Sequence, residues 1–539
     1  VRSYFGGERY FLQQQLEIKD VRLVYAPAGG LGNFGGETDN WQWPRHTGDF
    51  GYYRAYVAPD GSSAAFSKDN VPYKPKSWLT IAKEGLKEGD FVMLAGFPGN
   101  TNRWRMASET KAVFADRYPL NQKLLSDYSD LVNKLTAGNQ AAQIKYASSV
   151  KGADNTKKNL LGQMAGADAI GLIEAKDAED QAFRAWVAAD AKRQATYGPA
   201  LAKLDALLAA QDKRAVNDIH MGQIGRAQLL SAATTLYRWA KEREKPDALR
   251  EAGFQDRDRT PRAEGLKQIE RRFDAGVDRK IMEWALDHYR MVPAGERNDA
   301  MLAKLDAIGL DKLYAETKLA DTATRLAWLD KPAAEFEAST DPFIQLAVAA
   351  YPYSQKRLDE DKENDGKLNE AQRAVMAGRM AFAREQGKPV YPDANSSLRI
   401  TYGHVTGRKQ DGVAWSAFTT AEGMAAKHTG KGEFDAPDKA IELVKAKDYG
   451  NYTAPELGTL PVNYLTTVDI TGGNSGSATL NAKGELVGLA FDGTLDGVIS
   501  DWRFNPAINR TIHVDHRYML WVMEKVDGAT NLLKEMGVK

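Results

Sequence analysis

A chain of 539 residues can hold several domains with sizeable cores, and 43% hydrophobic content with 11 tryptophans marks it as globular. Its 72 basic and 72 acidic residues cancel, which argues against nucleic acid or an anionic membrane as the main partner; no apolar run approaches the roughly 18 residues needed to span a bilayer. The absence of cysteine excludes disulfides, thiol nucleophiles and thiolate metal sites within the chain, without fixing its compartment.

Residues 1 to about 103 read as strands joined by glycine-rich loops. Val21-Arg22-Leu23-Val24-Tyr25 alternates, Phe50 to Val57 is aromatic and apolar, and Phe91-Val92-Met93-Leu94-Ala95 is a buried-strand candidate closed by Gly96-Phe97-Pro98-Gly99. From about 104 to 390 the period turns helical. Leu266, Ile269, Phe273, Val277, Ile281 and Trp284 recur at steps of three and four, as do Leu229, Ala233, Leu236 and Ala240. From about 391 strands return, in Leu398 to Tyr402 and Glu485 to Leu489, and Arg517 to Met536 reads as one or two terminal helices. A β segment, a helical block and a second β segment, without linker-like connectors, predict one β domain interrupted by a helical insertion.

The chemistry concentrates at Gly472-Gly473-Asn474-Ser475-Gly476-Ser477. A serine nucleophile needs exposure on a tight turn, a base within reach, and backbone N–H groups aimed at the developing oxyanion. The glycines permit such a loop, and the N–H groups of Gly473 and Ser475 would form the oxyanion hole. Downstream come a strand (Ser477 to Leu480), a turn (Asn481 to Gly484) and a returning strand, then Asp492-Gly493. In the chymotrypsin fold the same order builds the nucleophile, a hairpin and the wall of the specificity pocket. A plain glycine-rich hairpin turn is the alternative.

A serine triad also needs a buried carboxylate that holds the base in one tautomer. Asp49 is the candidate, because Thr47-Gly48-Asp49 leads into an apolar strand; Asp39 reads instead as a turn or capping residue.

These residues bring a family into view. Gly35 to Phe50, with Asn40-Trp41-Gln42-Trp43-Pro44-Arg45-His46-Thr47-Gly48-Asp49 at its centre, Gly96 to Gly99, and Gly472 to Ser477 together resemble the bacterial dipeptidyl-peptidase 7 and dipeptidyl-peptidase 11 family. The resemblance runs from end to end. It implies an α+β protein: a chymotrypsin-like double β-barrel interrupted by a large all-α insertion. Residues 1–103 would be the C-terminal part of a first barrel that is incomplete in this chain. Residues 104–390 would be the insertion, and 391–539 the second barrel with its C-terminal helix. It further implies a periplasmic or secreted homodimer that releases dipeptides from peptides with a free N-terminus.

By motif position, Asn40 and Trp41 would bind the substrate's N-terminal end and Asp492 its α-ammonium; a packed aromatic turn and a hairpin-end turn residue are the plainer alternatives. Asn155 resembles a helical-domain position that reaches into the cleft, although a helix-cap asparagine would look the same. In the acid-preferring branch an arginine stands where this chain has Gly493. The glycine implies an open, uncharged P1 pocket and a hydrophobic P1 preference.

One element departs from the pattern. The catalytic histidine belongs to a Thr-Asn-His-His-Cys stretch upstream of the Asp segment, and this chain contains neither that stretch nor any cysteine. His46 lies within the Asp-side motif, His220 and His288 lie on helical faces, His404 and His428 have no supporting motif, and His513 and His516 are on the wrong side for the base. The expectation is an N-terminally truncated form with negligible turnover by itself; the alternative is a non-catalytic peptide-binding protein that kept the fold. Asp361 to Gly366 faintly resembles a calcium loop but lacks the glutamate at its twelfth position, so it reads as an acidic solvated turn. No metal, nucleotide or phosphate motif stands out, and no cofactor is expected.

Overall fold

The alternating apolar segments become fourteen strands among the described residues, 1–410 and 412–538, of the computed structural model. Arg2–Tyr4 (β1) and Arg9–Phe11 (β2) form a small hairpin, and Asp20–Tyr25 (β3), Tyr52–Val57 (β4) and Val71–Pro72 (β5) form a three-stranded antiparallel sheet. Phe91–Gly96 (β6) and Arg399–His404 (β7) pair with each other across the helical block. Arg408–Gln410 (β8) and Val413–Trp415 (β9) make a separate hairpin. The remaining strands are Phe418–Thr420 (β10), Pro461–Thr466 (β11), Ser477–Leu480 (β12), Leu486–Gly493 (β13) and Thr511–Asp515 (β14).

The largest sheet runs β10-β11-β14-β13-β12-β6-β7. Its far side curls back: Thr406 N–H donates to Leu465 O, Thr467 N–H donates to His404 O, and Val405 bridges Thr466. Six strands, β11 through β7 in that order, thereby close into a barrel and leave few open edges. Every residue of β11 and β14 is buried, because one face meets the barrel interior and the other the terminal helix and its neighbours. β6 belongs to this barrel. The sequence reading grouped it with the first barrel, but its hydrogen bonds run to β12 and β7, since strand partners are set by register and not by chain order.

The chain divides into two compact units. One comprises 1–106, 161–182 and 379–539, the other 107–160 and 183–378. The second is all helical. Its apolar repeat of 266–284 is split between Arg259–Arg272 and Ala275–Arg290, where Asp274 caps the second helix by accepting the N–H groups of Gly276 and Val277. Leu229, Ala233, Leu236 and Ala240 are all buried in its main core. The acidic segment Asp361 to Gly366 is not a turn. It lies exposed within the helix Pro342–Glu385, where Asp361 pairs with Arg214 and Glu363 with Lys367. No helix among the described residues is long and apolar enough to cross a membrane.

Residues 161–182 are helical yet belong to the β unit, which is why these bounds differ from those expected at 104 and 391. Gly162, on the helix Gln140–Ile170, approaches the chain at Leu495 so closely that a Cβ would sit 2.3 Å from the Leu495 carbonyl oxygen, and Trp502 Nε1 donates to Gln163 Oε1 at 2.8 Å. On the same helix Gly152 has nothing within 4 Å of such a Cβ. Gly152→Ala is therefore expected to raise stability by about 0.5–1 kcal/mol through helix propensity. Gly162→Ala should lower it by about 1–3 kcal/mol through overpacking against backbone. Thermal unfolding of the two variants reads the opposite signs directly.

Candidate active site

Ser475 occupies an exposed turn between β11 and β12. Asn474 N–H donates to Thr471 O at 3.1 Å, Ser477 N–H donates to Asn474 O at 2.9 Å, and Gly476 N–H reaches across to Ala490 O at 2.7 Å. Gly473 adopts φ +103°, a region open essentially to glycine, and its own Cβ would clash with the Phe97 carbonyl oxygen at 2.6 Å. From behind, Gly99 N–H donates to Gly472 O at 2.7 Å, and the absence of a side chain at Gly96 makes room for Asn474 Oδ1 and Ser477 Oγ. The Gly96-Phe97-Pro98-Gly99 segment is thus the backing of the nucleophile loop. Among the described residues nothing accepts from Gly473 N–H or Ser475 N–H, which leaves both donors available. Ser475 Oγ donates to Phe491 O at 3.4 Å, a long contact on the strand that carries Asp492.

Asp492 is 8% exposed. Its Oδ2 accepts from Arg45 Nη1 at 2.6 Å and from Trp41 N–H at 3.1 Å, and its Oδ1 accepts from Gly493 N–H at 2.8 Å. Burial pushes this carboxyl above its ordinary range, while Arg45 and the two N–H groups pull the other way. Trp41 itself has φ +63°, a strained conformation for a bulky residue, held because its N–H is bonded to Asp492 and its carbonyl accepts Leu495 N–H at 2.9 Å. Asn40 donates to the Glu37 carboxylate.

The loop bearing Asn40 and Trp41 is clamped from the far side. Glu433 accepts from Glu37 N–H (2.7 Å), Thr38 N–H (3.1 Å) and Thr38 Oγ1 (2.7 Å), and Lys427 Nζ donates to Asp39 Oδ2 (2.8 Å) and Pro44 O (2.9 Å). Asp39 is therefore a buried structural anion, as its turn context suggested. Asn155 is half-buried on the helix Gln140–Ile170, in the helical unit. Gly493 has room beside it: a Cβ would lie 3.5 Å from Arg510 O, 3.9 Å from the Trp41 ring and 4.0 Å from Ile470.

Asp49 is exposed, not buried as a triad carboxylate would be. It leads into β4, whose sheet has only three strands and one open face, with Val21, Leu23 and Tyr53 more than half exposed. None of the seven histidines bonds to Ser475. His46 is buried beside Gly423, and burial lowers its pKa to about 3. His220 stacks on His288. His404 Nδ1 meets Gly89 O, His428 Nδ1 accepts from Ala436 N–H, and His516 Nδ1 meets Val487 O. His513 is sealed in the barrel, stacked on Tyr464 at 4.7 Å and bonded to Thr466 Oγ1 and Thr479 Oγ1 at 2.8 Å each.

The model of the family described as peptidase S46 matches residues 1–538. The chain belongs to the peptidase S46 family. Among its relatives, the Asp/Glu-specific dipeptidyl-peptidase of Shewanella putrefaciens is 41% identical, over 99% of this chain and 77% of the relative. Dipeptidyl-peptidase 7 of Phocaeicola vulgatus is 32% identical, over 99% and 74%. The crystal structure of Porphyromonas endodontalis DPP11 with the dipeptide Arg-Glu superposes with a TM-score of 0.82 at 29% identity, covering 99% of this chain and 77% of that one. By family this S46 chain is a peptidase, and it spans about three quarters of the length of these relatives.

Sequence reading missed Arg45, Lys427 and Glu433. Arg45 stood inside the quoted motif, but nothing local distinguishes a buried guanidinium from a surface one. Lys427 and Glu433 lie 383 to 396 residues from the partners they hold, in a segment without a motif.

His513 yields a test of the barrel interior. Burial lowers its pKa from 6.5 to about 3, so between those values only the unfolded chain takes up the proton. Stability is then complete above about 6.5 and falls as pH drops toward 3. The thermal midpoint should decline from pH 7 to pH 4, and His513→Gln should decline less steeply. Equal slopes would assign the decline to other groups.

Proposed function

We propose that the chain carries the substrate-binding and nucleophilic residues of a serine-type dipeptidyl-peptidase. The observation that supports this most is adjacency along β13: Ser475 Oγ meets the carbonyl of Phe491, and the next residue is the buried, partnered Asp492. An extended substrate gains roughly 3.3 Å per residue. A peptide held with its ammonium on Asp492 would present a carbonyl near its N-terminus to Ser475, as an exopeptidase that removes dipeptides requires. A buried carboxylate favours a cation over a neutral blocked terminus, so it selects a free amine.

In this proposal Ser475 Oγ attacks the P1 carbonyl, and the N–H groups of Gly473 and Ser475 receive the oxyanion. Asn40 and Trp41 frame the amine. Asp49 orients the base. That base must take the hydroxyl proton and return it to the leaving amine, and none of the seven histidines is placed to do so. Oxyanion hole and binding alone leave on the order of 10³–10⁴ over water, so the 539-residue polypeptide should turn over negligibly. The resemblance supports a periplasmic or secreted homodimer as its setting. A non-catalytic peptide-binding protein is the second reading, favoured by a Ser475 Oγ that bonds a backbone carbonyl and no histidine. A fluorophosphonate probe separates the two: labelling of Ser475 that disappears in Ser475→Ala marks an activated nucleophile, and robust dipeptide release by the chain would contradict its predicted inertness.

For P1, Gly493 supports a hydrophobic preference against the acidic one in the name of the Shewanella relative. Arg510 does not substitute for a cation at 493, because its guanidinium is engaged by the carbonyls of Gly407, Pro506 and Asn509. Calorimetry with dipeptides ending in Leu or Phe should give at least about tenfold tighter binding than those ending in Asp or Glu, the worth of burying one such side chain. Gly493→Arg, whose Cβ would meet its neighbours at ordinary contact distances, should reverse the order; acid-ended dipeptides binding more tightly to the unaltered chain would sink the preference.

A further inference from the structure

Resting on Asp492 as the amine acceptor, we infer that Arg45 is a positioning residue for substrate recognition: it locks one oxygen of the Asp492 carboxylate and leaves the other to meet the N-terminal ammonium.

The hydrogen-bond inventory assigns the oxygens. An ionised carboxylate offers about four lone-pair sites. Oδ2 fills both of its own, with Arg45 Nη1 and Trp41 N–H, while Oδ1 spends one on Gly493 N–H and keeps one open. The carboxylate therefore cannot rotate without breaking a charge-assisted bond, and only one oxygen direction remains for a ligand.

Arg45 is itself immobilised. Nη1 also donates to Asp39 O at 2.8 Å, and Nε donates to Thr47 Oγ1 at 2.6 Å, whose hydroxyl donates to Phe34 O at 2.7 Å. The guanidinium lies over the Phe491 ring at 5.3 Å. Both partners of the pair are more than nine-tenths buried, so neither charge has water to fall back on.

Arg45 has a second consequence, for protonation. A carboxyl this buried favours its neutral form, and the largest opposing influence is the Arg45 charge. The other charged groups near the pair are Asp39 and Lys427, which satisfy each other behind Arg45, and His46, held neutral by burial. Arg45 thus opposes the effect of burial and favours the anionic form of Asp492, which attracts an ammonium better than a protonated acid would.

The test is calorimetric titration of the full chain with a free dipeptide such as Val-Leu between pH 5 and 7.5, where the peptide amine stays largely protonated. Arg45→Met should weaken binding by about tenfold or more at pH 5, the worth of a charge-assisted bond. The deficit should shrink as pH rises and the unpartnered carboxyl ionises. Arg45→Lys, which restores the charge without the fork, should recover much of the affinity at low pH. Wild-type affinity and profile in Arg45→Met would overturn the inference. So would a deficit that is constant across pH and not relieved by lysine, because that is the mark of a merely structural residue. Asp492→Asn tests the underlying reading separately: it should bind weakly at every pH, and unchanged binding there would remove Asp492 from amine recognition whatever Arg45 does.

Discussion

A carboxylate buried beside a nucleophile is the constraint around which the β unit is organised. Asp492 would be costly to keep ionised at its depth, and three protein donors meet that cost. Each donor imposes a structure of its own. The Trp41 N–H arrives only because Trp41 takes a positive φ, and the Arg45 guanidinium only because a buried chain of hydroxyl and carbonyl acceptors receives its other hydrogens. Satisfying one anion thus fixes a loop that is separated from it by most of the sequence.

The barrel supplies the other fixed points. Its β13 carries Asp492 and the carbonyl that Ser475 touches; its β12 begins immediately after the nucleophile loop; and β6 ends in the segment that backs that loop. The Asn40-Trp41 loop is not part of the barrel. It is tied down by Glu433 and Lys427, from a helix and turn inserted between β10 and β11. Rigid strands therefore place the serine and the carboxylate, and a polar clamp places the loop whose Trp41 N–H meets that carboxylate. Ser475, Gly473 and Asp492 all belong to one compact unit.

How much of this was legible in the sequence depends on how local the cause is. The turn at Ser475 and the hairpin after it are legible because glycine spacing and strand alternation are local. The fold resemblance followed from a dense motif, and the S46 match and the DPP11 superposition agree with it. Strand partnership is not legible: β6 is a short unbroken apolar run that either barrel could accept, and only pairing with β12 shows which one it joins. Helix Gln140–Ile170 looked uniformly helical, yet a glycine too close to the Leu495 carbonyl for any side chain assigns its last turns to the β unit. Asp49 was read as buried because it precedes apolar residues, but burial needs elements on both faces, and its three-stranded sheet has one face open. The partners of Asp492 were hidden for the same reason as the clamp, since long-range ion pairs leave no periodic trace.

The central claim is that this site distinguishes a free N-terminal ammonium from a blocked one. Calorimetry on the unaltered chain with a hydrophobic dipeptide and its N-acetyl derivative measures that most directly. The account predicts that acetylation weakens binding by at least about tenfold, the worth of a charge-assisted hydrogen bond; equal affinity for the two would contradict it.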